Sequence, residues 1–135
     1  MALVMSHTLK NGMTAPNAYH IVYKTDVHKR PVDDIDTHGA RPDDLPHHMW
    51  KAGVYARIGI AIYVDKAARD AGKPAIAVIS VNPTERPNND FEGEQIFWSE
   101  EKLTFTVDLE STKDTLGQAY DHLLTLSEYA SAVND

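Results

Sequence analysis

The chain has 135 residues, of which 42% are apolar and 24% charged, and this composition predicts one globular domain over residues 1–135 rather than a disordered or fibrous chain. Its formal net charge of −7 argues against a nucleic-acid partner, because phosphate contacts need a concentrated basic face and the Lys and Arg residues are scattered. The absence of Cys excludes disulfides, thiolate metal sites and cysteine nucleophiles.

Neither a secretory signal nor a membrane-spanning segment is expected. The N-terminal stretch MALVMSHTLKNG lacks a basic start and a long apolar run. The longest weakly charged run, from Val54 to Val64, contains Arg57 and is far shorter than the roughly 20 residues of a spanning helix. We therefore expect no membrane partner.

The first predicted strand is NAYHIVYKTDV, residues 17–27, in which aromatic and branched side chains alternate. The segment that follows, residues 28–48, contains three prolines and shows no period of 2 or 3.6. It is predicted to be a long loop or an insertion.

A central strand is predicted for GVYARIGIAIYV, residues 53–64, with its two faces formed by alternate residues. One face carries Val54, Ala56, Ile58, Ile60 and Ile62, and the other Tyr55, Arg57, Gly59, Ala61 and Tyr63. A glycine inside a strand, such as Gly59, usually marks a bulge or a close backbone approach.

A short connector helix follows, with Asp65 as its N-cap, Gly72 just past its end and Pro74 preventing continuation. The stretch PAIAVISV, residues 74–81, is the next predicted strand. Because the connector is too short for a parallel crossover, the two strands should pair antiparallel.

The remaining elements are a loop at NPTERPNND, a strand at EQIFWS, a strand at KLTFTVDL and a C-terminal helix from Thr115. In KLTFTVDL, alternation places Leu103, Phe105, Val107 and Leu109 toward the core and Thr104, Thr106 and Asp108 outward. In the helix, one apolar stripe comprises Leu116, Ala119, Tyr120, Leu123 and Leu124. The predicted fold is α+β: an antiparallel sheet of about four to six strands with a short connector helix and a C-terminal amphipathic helix packed on it.

Catalytic and metal-binding patterns give no positive signal. The stretch DDIDTHGARPDDLPHH supplies His and Asp, yet it matches neither HExxH nor a complete calcium loop, so a solvated loop is favoured. A small ligand- or metal-binding module that uses this segment stays an alternative. No nucleophile elbow or phosphate-binding glycine motif is present, and the sequence predicts no enzyme, no catalytic residue, no cofactor and no metal.

Bulky side chains are the remaining candidates for binding, although a core position is the plain alternative for each aromatic residue. Met49 and Trp50 follow a loop rich in Pro and His, where an exposed position would favour a partner. Trp98 and Tyr129 complete the set of interface candidates, and the tail after Tyr129, residues 131–135, is predicted to extend into a neighbouring subunit.

Three stretches, NAYHIVYKTDV, IYVDKAARDAGKPAI and QAYDHLLTLSEYASAVND, resemble a class of small virion structural proteins of tailed bacteriophages. That class pairs a strand bearing AYH with a C-terminal AYxHLxxLxEYxxA helix. The resemblance implies a tail, baseplate or fibre-attachment component, assembled in the host cytoplasm and located in the virion as a homo-oligomer in contact with other virion proteins. A capsid decoration protein is the alternative within this class, and residues 28–48 look like an insertion relative to its compact form.

Overall fold

The computed structural model describes residues 2–30, 53–81 and 93–135. Within these ranges the chain forms nine strands, three α-helices and one 3₁₀ helix. In chain order they are β1 Leu3–Val4, β2 His7–Thr8, β3 Thr14–Ala15, β4 Tyr19–Arg30, β5 Gly53–Tyr63, α1 Lys66–Asp70, β6 Ala77–Ser80, β7 Glu94–Phe97, α2 Glu100–Leu103, β8 Thr104–Thr106, α3 Thr115–Leu124, the 3₁₀ helix Ser127–Tyr129 and β9 Val133–Asn134.

Seven of the described strands form one sheet in the order β7-β6-β5-β4-β1-β9, with β8 paired to β5 beside β6. Strand β5 is the centre, since β4 pairs along one side of it and β6 and β8 share the other side. All pairs in this sheet are antiparallel except β6 with β7, and β2 and β3 form a separate small hairpin. The predicted α+β class is confirmed, and the two-residue strands β1 and β9 are too short for sequence alternation to show them.

The two predicted faces of β5 are confirmed by burial. One face contributes Ala56, Ile58, Ile60 and Ile62 to the main core. The opposite face places Ala61 in a second, smaller cluster with Val78. A central strand that is covered on both faces accounts for the near-continuous apolar sequence of residues 58–62.

A bulge in β4 explains the glycine inside β5. The register between the two strands shifts between Val22 and Lys24, which leaves Tyr23 as the extra residue. A Cβ atom at Gly59 would lie 2.9 Å from the Tyr23 ring, closer than van der Waals contact allows. The close approach predicted at Gly59 is therefore confirmed.

Helix α3 packs on its own sheet, as predicted. It begins after Asp114, whose carboxylate accepts a hydrogen bond from the Gly117 N–H at 2.8 Å. The buried face consists of Ala119, Tyr120 and Leu123. The predicted stripe is too wide, because its outer members Leu116 and Leu124 are 42% and 36% exposed.

The strand predicted for residues 102–109 is much shorter in the structure. Helix α2 ends at Leu103, and β8 pairs only three residues with β5. Thr104, predicted to face outward, is buried, whereas Leu109, predicted to face the core, is 76% exposed. The chain turns at Asp108, whose carboxylate accepts a hydrogen bond from the Glu110 N–H at 3.0 Å, and alternation ends where the ladder ends.

Strand β4 continues further than predicted, since residues 28–30 pair with residues 53–55 of β5. Ladder pairing needs only backbone groups, so the polar sequence there gave no strand signal. The predicted loop therefore begins no earlier than residue 31, and the rest of it lies outside the described residues.

The C-terminal tail lies on the sheet of its own chain, and the contact with a neighbouring subunit stays a prediction. Strand β9 pairs antiparallel with β1, and the Asp135 N–H donates to the Ala2 carbonyl oxygen at 3.0 Å. The Tyr19 hydroxyl donates to the Asp135 carboxylate at 2.7 Å, and this hydrogen bond raises the pKa of Tyr19 to about 12. Backbone pairing along β1 thus offers the tail a partner within the chain.

Candidate functional site

A cavity of about 200 Å³ lies where β6, β7, the β1–β2 segment and the 3₁₀ helix meet. We call it the His20 cavity. Its apolar lining comes from Met5, Ile79 and Ile96. The other lining residues, His7, His20, Trp98, Glu128 and Tyr129, are aromatic or ionisable, and among them are two of the predicted interface candidates.

His20 is buried in the wall of this cavity with both ring nitrogens occupied. Nε2 lies 3.1 Å from the Met5 carbonyl oxygen, which can only accept, so Nε2 carries the proton. In the neutral ring Nδ1 then accepts from the Tyr129 hydroxyl at 3.0 Å. Burial lowers the pKa of His20 to about 4, so the ring is neutral at ordinary pH.

Four rings form a continuous row through this region. Trp98 meets Tyr129 at a centroid distance of 6.0 Å, and Tyr129 meets His20 at 5.3 Å. His20 in turn meets His7 at 6.2 Å. All three contacts are edge-to-face, the geometry that aromatic quadrupoles favour, and the contact between His20 and Tyr129 joins residues 109 positions apart in the chain.

His7 differs from His20 in its hydrogen bonding. Its Nε2 atom is buried and has no hydrogen-bond partner among the residues that the structure describes. Burial lowers the pKa of His7, and the nearby Glu94 carboxylate opposes that shift. His7 therefore places a neutral polar atom beside an apolar cavity.

Lys102 does not line the cavity but contacts two residues that do, Trp98 and Glu128. Its ammonium group lies 5.6 Å from the centre of the Trp98 ring, within the range of a cation–π contact. The same group forms an ion pair with Glu128, and this hydrogen bond lowers the pKa of the Glu128 carboxyl. The pair is partly exposed, so it fixes Glu128 in position more than it stabilises the fold.

The structure brings together Trp98 and Tyr129 but gives them different surroundings. Trp98 is half-buried, whereas Tyr129 is 1% exposed and belongs to the core, so its side chain is not available to a neighbour. Desolvation in the core accounts for the raised pKa of Tyr129. Met49 and Trp50 lie outside the described residues.

Two exposed apolar residues at the outer strands were not among the predicted interface candidates. Phe97 on β7 is 52% exposed, and Val133 on β9 is 65% exposed. For Phe97, as for the other aromatic residues, the sequence left a core position and an interface position both open. Val133 gave no signal, since a strand of two residues shows no alternation.

No group of three or more His, Asp or Glu side chains in the described ranges is placed to hold a metal ion. Most of the His- and Asp-rich segment proposed as an alternative ligand site falls outside these ranges. The same part of the chain contains no helix long and apolar enough to cross a membrane.

Comparisons of the chain with protein-family models, with curated proteins and with solved structures gave no match.

Proposed function

We propose that this protein is a structural component of a tailed-phage virion, of the tail, baseplate or fibre attachment, and that it acts by assembling with copies of itself and with other virion proteins. The motif residues that carry the resemblance support a structural role. The histidine of AYH, His20, is hydrogen-bonded to the tyrosine of EYxxA, Tyr129. These residues hold two distant segments together, and both ring nitrogens of His20 are engaged in hydrogen bonds.

The observation that carries the proposal is the pair of outer strands of the main sheet. Strand β7 ends the described sheet on one side and β9 ends it on the other. Each presents a largely exposed apolar side chain, Phe97 and Val133 respectively. An outer strand can pair through its backbone with a strand of another chain, and an apolar side chain beside it adds buried area.

The two edges differ in sequence, so a contact between β7 of one copy and β9 of the next would be head-to-tail. Such a contact closes into a ring when the rotation between copies divides a full turn. Rings are a natural unit for a particle with axial symmetry. The proposal therefore favours a cyclic homo-oligomer.

The test is the oligomeric state of the purified chain, measured by light scattering after size-exclusion chromatography over a wide concentration range. The parent chain should form a discrete oligomer. Phe97→Lys and Val133→Lys should each reduce it to monomer without changing the melting temperature, because both side chains are exposed. Leu109→Lys is the matched control, since Leu109 is 76% exposed but lies outside the strands.

A chain that stays monomeric at all concentrations and is missing from purified particles would overturn the proposal. The position in the particle has its own measurement, an image reconstruction of native virions. We expect copies at the tail or baseplate, and copies distributed over the capsid surface would instead support a decoration protein.

A further inference from the structure

We propose that the His20 cavity is a binding site for one small, uncharged aromatic molecule that carries a single hydrogen-bonding group, such as a phenol. The inference does not depend on the proposed role in a virion. It follows from the size of the cavity, its apolar lining and the state of the polar atoms around it.

The volume suits one ring. A dry cavity of about 150 Å³ lined by apolar side chains is large enough to bind benzene. The His20 cavity, at about 200 Å³, is large enough for one ring with a substituent. Met5, Ile79 and Ile96 supply the apolar contacts, and Trp98 supplies an aromatic surface.

Three of the four ionisable side chains that line the cavity already bond to other residues. His20 and Tyr129 bond to one another, and Glu128 is held by Lys102. His7 Nε2 is buried and has no partner in the described part of the chain. Since a neutral imidazole nitrogen either donates or accepts, a hydroxyl group is the matching ligand group.

A charged ligand is disfavoured by the same surroundings. The cavity has no unpaired charge among the described lining residues, because Glu128 is in an ion pair and His20 is neutral. A charged group placed there would lose its hydration without a partner. The site therefore selects an uncharged ring with one polar substituent.

Phenol and toluene are the matched probes, because they have nearly the same shape and differ in the hydroxyl group. The readout is the Trp98 indole N–H signal in a two-dimensional NMR titration, assigned with a Trp50→Phe variant. Both probes should give saturable shifts, with phenol bound about five-fold more tightly, the value of one net hydrogen bond. His7→Phe should abolish this preference and leave toluene binding in place.

Ile96→Trp should remove binding of both probes by filling the cavity, while Leu116→Trp, on the exposed side of α3, should leave both affinities unchanged. Where Ile96→Trp does not fold, as judged by circular dichroism, Met5→Phe fills the cavity from another segment. No saturable shift in the parent chain would overturn the proposal. So would binding that survives the filling variants, or a phenol preference that survives His7→Phe.

Discussion

At the residue scale, Tyr120 shows how one side chain both fills the core and completes the backbone hydrogen bonding. Strand β1 pairs with β4 only at Tyr19 and His20, so β4 has no described strand neighbour on that side further along. The Val22 N–H donates instead to the Tyr120 hydroxyl oxygen at 2.9 Å. Burial raises the pKa of this hydroxyl group, which stays protonated.

Replacing Tyr120 with Phe tests this hydrogen bond without removing the ring. We expect the free energy of unfolding to fall by about 1–3 kcal/mol, because the Val22 N–H is left buried without an acceptor. Chemical denaturation measures the change. Tyr63→Phe is the control, since the hydroxyl group of half-buried Tyr63 forms no hydrogen bond within the described ranges, and it should change stability by less than about 0.5 kcal/mol.

At the element scale, the pairing of β4 with β5 depends on a bulge that meets a glycine. The extra residue Tyr23 turns its ring over the backbone of Gly59, and the register continues normally beyond Lys24. Tyr23 also packs against the cluster of Ala61 and Val78 on the second face of the sheet. The bulge thus places an aromatic ring over that face.

Gly59→Ala should destabilise the protein by about 1–3 kcal/mol through overpacking, because the new methyl group would lie 2.9 Å from the Tyr23 ring. A double-mutant cycle measured by thermal denaturation supplies the control. In a Tyr23→Ala background the same substitution should be neutral or stabilising, since Ala is favoured over Gly in a strand. An equal cost in both backgrounds would show that the ring contact is not the cause.

At the scale of the whole molecule, the His20–Tyr129 hydrogen bond ties an early strand to the C-terminal segment across 109 positions of sequence. Strand β9 extends the same connection by pairing with β1, beside β4. The stability of the molecule should therefore respond to the protonation of His20.

The direction of the pH dependence of stability follows from the lowered pKa of His20. His20 has a pKa of about 4 in the folded chain and 6.5 when exposed, so the unfolded chain takes up the proton first as the pH falls. The contribution of neutral His20 to the free energy of unfolding is complete above pH 6.5, the pKa in the unfolded chain. It is lost as the pH falls from 6.5 to 4. The loss amounts to about 3 kcal/mol at 1.36 kcal/mol per pKa unit.

Urea denaturation across this pH range measures the effect. His20→Gln should flatten the pH dependence, and His28→Gln, on an exposed position of the same strand, should leave it as in the parent chain. His7 contributes a smaller slope of the same sign, because burial lowers its pKa as well. Equal slopes in all three proteins would contradict this account.

Sequence patterns predicted much of the fold because the long elements bury regular faces. The alternation in β5, the cap at Asp65 and the periodicity of α3 are local signals, and the structure confirms them. Elements without a local signal were missed or misplaced. Strand β9 has two residues and is too short to show alternation. Strand β8 ends at Thr106, so the alternation that predicted a core position for Leu109 does not extend to that residue.

The candidate site was only partly visible in the sequence. Trp98 was identified as a contact residue, and it lines the cavity. His7 and His20 gave no signal, because nothing in their spacing indicates that they lie beside each other. Tyr129 was predicted to lie at an interface, but it is buried in the core. The sequence does not show whether an aromatic residue is buried or exposed.

By itself, the sequence determined the α+β class, the central strand and the helix that covers it, because hydrophobic burial repeats with the period of each element. Only the tertiary structure decided which segments share a surface: the row of four rings, the cavity beside His7 and the return of the tail onto β1. The reason is physical. These contacts join residues far apart in the chain, and their geometry is set by the twist and order of the sheet, which no local pattern encodes.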